Sequence, residues 1–126
     1  MHRRVYVTGP LEGATLQVMK NHRTNIDLVC RRILIAGDVP ICPILFTHDW
    51  QKDPRFSKKL EWWIDNVFKI YMIDCEIFCY VPTLAGVKSD RMELEKNLWR
   101  LMGDGKFIIA DRILDILTRG TNGNIR

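Results

Sequence analysis

Short apolar runs rich in Val, Ile and Phe alternate along this chain with longer stretches whose apolar residues recur at helical spacing. The four runs cover residues 4–8, 41–46, 75–81 and 106–110. Continuous apolar runs of this length are typical of strands that are covered on both faces, and strands that alternate with helices form parallel sheets. The sequence therefore predicts a three-layer α/β fold, in which a short, mainly parallel sheet of about four strands is flanked by helices.

Helical spacing predicts four helices between and after these strands. They are expected to begin at Thr24, at Ser57, at Ser89 and at Asp111. The apolar stripe of the second helix would consist of Leu60, Trp63, Ile64, Val67, Ile70 and Tyr71.

Two long connections follow strands, at residues 9–23 and 47–57. Long loops in small domains are often functional. Ligands of open parallel sheets bind outside the carboxyl ends of the strands. We therefore expect these two loops and residues 82–88 to meet at one cleft.

The composition of the 126 residues fits one globular domain, predicted over residues 1–119, with a loose tail at residues 120–126. With 47% hydrophobic and 27% charged residues, the chain is too apolar for a disordered protein. No apolar run approaches the roughly 18 residues of a membrane span, and the N-terminal residues run directly into a strand rather than a signal peptide. We expect a cytoplasmic protein without a membrane partner.

The distribution of charged residues, cysteines and histidines argues against a nucleic-acid-binding protein and against a metal-binding protein. The net charge of +4 is spread over small clusters, so no nucleic-acid partner is expected. The four cysteines form no C-x-x-C pair and the three histidines are scattered, so no metal site is expected. The cysteines are predicted to be reduced and buried.

Glu95 is the most unusual candidate for chemistry, because helical spacing places this carboxylate among the apolar residues of the third helix. A carboxylate in such surroundings is either paired or used. The plain alternative is a salt bridge to Arg91, four residues earlier. Ser89, at the start of the same helix, is either an N-cap or, with Arg91, a contact for an anion.

The loops hold the remaining candidates. Gly9 and Pro10 follow the first strand and form either the wall of a ligand site or a plain turn. The segment from His48 to Trp50 is either a part of the cleft or ordinary surface. Trp62 is either a cleft wall or an oligomer contact.

Five short motifs occur in one order along the chain. They are Tyr6-Val-Thr-Gly-Pro-Leu-Glu-Gly13, Asn25-Ile26, Gly37-x-x-Pro40-Ile-x-Pro43-x-Leu45, Cys75-Glu76 and Ser89-x-x-Met92-x-x-Glu95. Over residues 4 to 110 this order resembles the nucleoside 2-deoxyribosyltransferase-like superfamily, in particular its small bacterial and phage members. The resemblance implies a flavodoxin-like or Rossmann-like fold, a homodimer or higher homo-oligomer, and no cofactor.

The resemblance also implies roles for single residues. Glu95 matches the nucleophile that attacks the anomeric carbon of a deoxyribosyl group, and Tyr6 matches the tyrosine that orients it. Ser89 matches the serine that binds the 5′ hydroxyl or phosphate. The chain departs from the family where Arg91 replaces a small residue and where the expected helical aspartate falls at Phe68, with Asp65 as the nearest carboxylate.

These residues lead to one principal hypothesis and two alternatives. The principal hypothesis is an N-glycosidic-bond enzyme on deoxyribonucleosides or their monophosphates, which transfers the sugar or hydrolyses the bond. Its expected catalytic residues are Glu95 and Tyr6, and its expected substrate contacts are Gly9, Pro10, Asp65, Ser89 and Arg91. The first alternative is a non-catalytic nucleotide-binding or nucleotide-sequestering module, and the second is a structural or assembly protein on the same fold.

Overall fold

A parallel sheet lies between the helices of the computed structural model, which describes residues 2–56, 58–82, 89–102 and, for the backbone, 106–109. Its strands are β1 (Arg4–Thr8), β2 (Val39–Ile41), β3 (Ile77–Tyr80) and β4 (Lys106–Ile109). The strand order is β2-β1-β3-β4, and each neighbouring pair is parallel. The predicted α/β class, with a parallel sheet flanked by helices, is confirmed.

The helices fill the connections between these strands. They are α1 (Leu16–Ile35), α2 (Pro43–Lys52), α3 (Leu60–Trp63), α4 (Lys69–Met72) and α5 (Asp90–Met102), with a 3-10 turn at Pro54–Phe56 and a π-helical turn at Ile64–Phe68. None of the helices in the described part of the chain is long and apolar enough to cross a membrane. The predicted helix at residues 111–118, the tail at residues 120–126 and Ser57 lie outside the described residues.

The first helix begins earlier than the sequence predicts. Thr15, not Thr24, is its N-cap, because the Thr15 side chain accepts a hydrogen bond from the Val18 backbone N–H at 3.1 Å. The predicted loop over residues 9–23 is therefore wrong beyond residue 15. The helix ends before Gly37, whose φ of 94° is a conformation that glycine adopts readily.

The second predicted strand, residues 41–46, is also wrong over most of its length. β2 ends at Ile41 and α2 begins at Pro43, where the fixed φ and missing N–H of proline suit the first helical turn. From this helix Ile44 points into the core, so the apolar run belongs to a helix face rather than to a strand. The predicted loop at residues 47–57 is correspondingly helical up to Lys52.

The predicted apolar stripe of the next helix holds only for its first half. Ile70 and Tyr71 were expected in the core but are exposed, whereas Phe68 and Met72 are fully buried. The π-helical turn at Ile64–Phe68 explains this difference, because a π turn inserts one extra residue and rotates every later side chain around the helix.

Side chains alternate between the two faces of the sheet. Val5 and Val7 belong to one hydrophobic cluster, together with Ile26 and Ile33 of α1. The ring of Tyr6 belongs to a second cluster, in which it stacks on Phe78 with ring centroids 5.6 Å apart, and Phe78 in turn contacts Trp99 of α5. The four cysteines are free thiols, with Cys30 and Cys79 buried and Cys42 and Cys75 half-buried.

Candidate active site at the carboxyl end of the sheet

A buried carboxylate, that of Glu95, lies against the end of β1. Glu95 is in the second turn of α5 and is 0% exposed. Tyr6 and Thr8 are two residues apart on β1, so both side chains point to the same face. The Tyr6 hydroxyl donates to Glu95 Oε2 at 2.5 Å, and the Thr8 hydroxyl donates to Oε1 at 3.0 Å. Both carboxylate oxygens therefore have hydrogen-bond donors.

Arg91, one helical turn before Glu95, forms the ion pair that the sequence offered as the plain alternative. Its Nη1 donates to Glu95 Oε1 and, at 2.9 Å, to the Thr8 hydroxyl oxygen. Its Nη2 donates to the carbonyl oxygen of Gly9 at 2.7 Å. Arg91 is only 4% exposed and Glu95 is 0% exposed, so the ion pair is buried.

Burial and the neighbouring charges and donors shift the pKa values of Glu95 and Tyr6. Burial raises the pKa of Glu95, while the Arg91 charge and the hydrogen bonds from Tyr6, Thr8 and Arg91 act in the opposite direction. Burial, followed by the negative charge of Glu95, raises the pKa of Tyr6 well above its ordinary value. Tyr6 therefore remains a protonated hydrogen-bond donor at neutral pH.

Gly9 and Pro10 follow β1 directly and are buried. A Cβ atom on Gly9 would lie 2.7 Å from the backbone oxygen of Val81, so only glycine allows the chain to pass this close to the end of β3. The Gly9 carbonyl oxygen accepts a hydrogen bond from Arg91. Gly9 thus contributes a backbone acceptor to the cluster.

Glu12 and Ser89 meet beside the Arg91 guanidinium. The Ser89 hydroxyl donates to Glu12 Oε2 at 2.5 Å, and Arg91 Nη2 lies 3.5 Å from Glu12 Oε1. The Ser89 oxygen also accepts from the Met92 backbone N–H at 3.3 Å, which is the N-cap interaction that the sequence offered as one alternative. Burial opposes ionisation of Glu12, but the Ser89 hydrogen bond and the Arg91 charge outweigh it and lower the pKa of Glu12.

A cavity of about 360 Å³ opens above this cluster. It is lined by Glu12, His48, Gln51, Lys52, Leu60, Ser89, Asp90 and Arg91. Burial and nearby cations lower the pKa of His48, so this side chain is neutral at pH 7. Segments that follow β1 and β2 thus meet at the carboxyl edge of the sheet, as the sequence predicts, whereas residues 83–88 lie outside the described part of the chain.

The structure does not bring every candidate residue to this cluster. Asp65 is an exposed residue of the π-helical turn and does not line the cavity. Trp62 is 40% exposed, with the Lys58 ammonium 5.3 Å from its ring centroid. Asp49 and Trp50 are exposed, although His48 beside them lines the cavity.

Thr8 and Glu12 were not among the predicted site residues. Thr8 could have been found from its spacing, because it lies two residues after Tyr6 and so shares its face of the strand. No comparable signal marks Glu12, since its partner Ser89 is 77 residues away in sequence.

Comparison with known proteins gives no match to a protein-family model and none to a curated protein. Within the described residues, no group of three or more His, Cys, Asp or Glu side chains is arranged to hold a metal ion. The cluster at the end of β1 itself consists of a buried carboxylate, its two hydroxyl donors and one guanidinium.

Proposed function

We propose that the protein is an N-glycosidic-bond enzyme that acts on deoxyribonucleosides or their monophosphates, with Glu95 as nucleophile and Tyr6 as its orienting partner. The observation that carries the proposal is the Tyr6–Glu95 hydrogen bond. It joins two residues 89 positions apart in sequence, and this pairing is the one that the resemblance to the deoxyribosyltransferase-like superfamily implies. Its position at the carboxyl end of a parallel sheet, beside a cavity, also supports a ligand site.

The proposed reaction proceeds in two displacements. An oxygen of Glu95 forms a bond to the anomeric carbon while the bond to the base nitrogen breaks, and its electron pair leaves with the base, which takes up a proton from solvent. Water or a second base then attacks the same carbon, gives up a proton to solvent and displaces the Glu95 carboxylate. The Tyr6 hydroxyl holds Oε2, and the attacking oxygen is Oε1, to which Thr8 and Arg91 donate in the free protein.

Arg91 must move for this attack to occur, because it covers Oε1 of Glu95. Its Nη2 already lies 3.5 Å from Glu12, so the guanidinium has a second carboxylate with which to pair when it leaves Glu95. In this proposal, substrate that enters the cavity displaces Arg91 from Glu95 toward Glu12. Ser89 lines the cavity, whereas the expected contacts Gly9 and Pro10 are buried and do not line it. Asp65 is not retained as a substrate contact.

Further parts of the proposal concern the whole molecule. We propose a flavodoxin-like or Rossmann-like three-layer fold, supported by the parallel strand order β2-β1-β3-β4. We also propose a homo-oligomeric, cytoplasmic enzyme that needs no cofactor, since a carboxylate nucleophile suffices for this chemistry. The exposed ring of Trp62 supports an oligomer contact rather than a cleft wall.

A second function, a non-catalytic nucleotide-binding module, is favoured by one specific observation. Glu95 is fully buried, and both of its oxygens are bound by protein donors. A carboxylate that permanently pairs with Arg91 would stabilise the cleft without reacting. In that case intact nucleotide would raise the melting temperature of the protein for hours, whereas an enzyme would lose this stabilisation as its ligand is cleaved.

Chromatography of reaction mixtures tests the first proposal. The wild-type protein, Glu95→Gln and Glu93→Gln are each incubated with every deoxynucleoside and deoxynucleoside monophosphate, with and without a second free base. Glu93 is an exposed carboxylate on the same helix, so its variant controls for the change in charge. We expect base release or exchange by the wild type and Glu93→Gln, and its loss in Glu95→Gln. Intact nucleotides in every mixture, or undiminished turnover by Glu95→Gln, would refute the proposal.

A further inference from the structure

The Glu12 carboxylate lies at the end of the cavity where a ligand would contact Ser89. One Glu12 oxygen accepts from the Ser89 hydroxyl at 2.5 Å, and the other accepts from the Leu11 backbone N–H at 2.8 Å and lies 3.5 Å from Arg91 Nη2. The Glu12 side chain is 43% exposed, so a ligand in the cavity can reach it. A negatively charged acceptor therefore lines this end of the cavity.

The charged groups around Glu12 leave a net negative charge at this end of the cavity. Arg91 forms ion pairs with both Glu95 and Glu12, so one guanidinium serves two carboxylates and does not neutralise both, whichever of them it lies closer to. Asp90, which also lines the cavity, adds a second negative charge. The Lys52 ammonium also lines the cavity and donates to the Met19 sulfur, so it balances only one of these negative charges.

We propose that Glu12 makes the Ser89 end of the cavity a site for an uncharged hydroxyl group and excludes phosphate from it. The substrate is then a deoxyribonucleoside with a free 5′ hydroxyl rather than its 5′-monophosphate. This inference rests on the proposed function for the identity of the sugar, and on Glu12 for the choice between hydroxyl and phosphate.

The Glu12 carboxylate can accept a hydrogen bond from a 5′ hydroxyl, whereas it repels a 5′ phosphate. A 5′ hydroxyl can donate a hydrogen bond to the Glu12 carboxylate and accept one from Ser89, so all three groups remain paired. A phosphate has only acceptor oxygens for this contact, and two like charges in contact repel strongly where water is partly excluded. Glu12 is thus a specificity-determining residue.

The test compares each deoxynucleoside with its 5′-monophosphate on four proteins: wild type, Glu12→Gln, Glu12→Asp and Glu93→Gln. Dissociation constants from isothermal titration calorimetry give the preference without any need for turnover, and kcat/KM for base release gives it for the reaction. We expect the wild type to favour the nucleoside by about tenfold or more. Glu12→Gln should reduce this ratio about tenfold, while Glu12→Asp, which keeps the charge, and Glu93→Gln should preserve it.

Each outcome separates this inference from the proposed function. A wild-type preference for the monophosphate, or a ratio unchanged in Glu12→Gln, overturns the inference even if base is released. Nucleoside binding with the expected ratio but no base release overturns the proposed function and leaves the role of Glu12 intact. Failure of wild type to bind any nucleoside or monophosphate overturns both.

Discussion

Replacement of Arg91 by methionine removes the only cation that contacts Glu95 among the described residues. Methionine fills a similar volume, but Glu95 then loses its counter-charge, and the Gly9 carbonyl loses its donor. Removal of one partner of a buried ion pair costs about 3 to 5 kcal/mol, because the other charge stays buried and uncompensated. The free energy of unfolding of a small domain is about 5 to 15 kcal/mol, so the loss of the Arg91 charge removes a large fraction of it.

A matched control lies on α1. Asp27 and Arg31 form an ion pair at 2.7 Å with the same four-residue spacing as Arg91 and Glu95, but both side chains are exposed to water. Arg31→Met should therefore change the free energy of unfolding by no more than the error of the measurement. The comparison isolates burial as the cause of the difference.

The penalty in Arg91→Met should also depend on pH. Burial already raises the pKa of Glu95 above its ordinary value of 4.5, and loss of the Arg91 charge raises it further. When the pKa of a carboxyl group is higher in the folded protein than in the unfolded chain, the folded protein binds the proton more tightly. The free energy of unfolding therefore falls as the pH rises from about 4.5, the pKa in the unfolded chain, through the pKa in the folded protein. The penalty should thus be smaller at pH 5 than at pH 8.

Urea unfolding, followed by tryptophan fluorescence at pH 5 and pH 8, measures both effects. We expect Arg91→Met to lose several kcal/mol more than Arg31→Met at pH 8, and to recover part of the loss at pH 5. A loss no larger than that of Arg31→Met, or one equal at both pH values, would contradict the interpretation of Glu95 as a buried, charge-compensated carboxylate.

Three further perturbations test other parts of the site. Tyr6→Phe removes the hydroxyl donor of Glu95 and should lower the free energy of unfolding by about 1.5 to 3 kcal/mol, as measured by urea; no change would mean that the hydrogen bond is absent in solution. Gly9→Ala forces a Cβ against the Val81 carbonyl oxygen and should lower the free energy of unfolding by about 1 to 3 kcal/mol. A melting temperature equal to that of the wild type would refute the close approach. Burial raises the pKa of the Cys79 thiol to about 12, so iodoacetamide at pH 8 should modify it far more slowly in the native protein than in urea, and equal rates would refute its burial.

The first strand was predictable because its signal is local. Residues 4–8 form a strand-like run that ends before Gly9 and Pro10, and β1 has the predicted bounds. Glu95 was likewise predictable as unusual, since helical spacing alone places it on the apolar side of α5. These are the features for which sequence periodicity and tertiary structure agree.

The errors occur where tertiary packing decides. A continuous apolar run such as residues 41–46 fits a buried strand and a buried helix equally well, and Pro43 was the local signal that favoured the helix. The π-helical turn at Ile64–Phe68 depends on how the segment packs, so spacing could not predict that Phe68 and Met72 are buried. Glu12 was missed because its partner lies far away in sequence.

The most direct test of the account is a crystal structure of the wild-type protein with a deoxynucleoside analogue whose glycosidic nitrogen is replaced by carbon, so that it cannot be cleaved. We predict that the anomeric carbon lies about 3 to 3.5 Å from a Glu95 oxygen and that Arg91 has moved from Glu95 toward Glu12. An analogue bound elsewhere, with the Arg91–Glu95 pair unchanged, would contradict the assignment of Glu95 as the nucleophile.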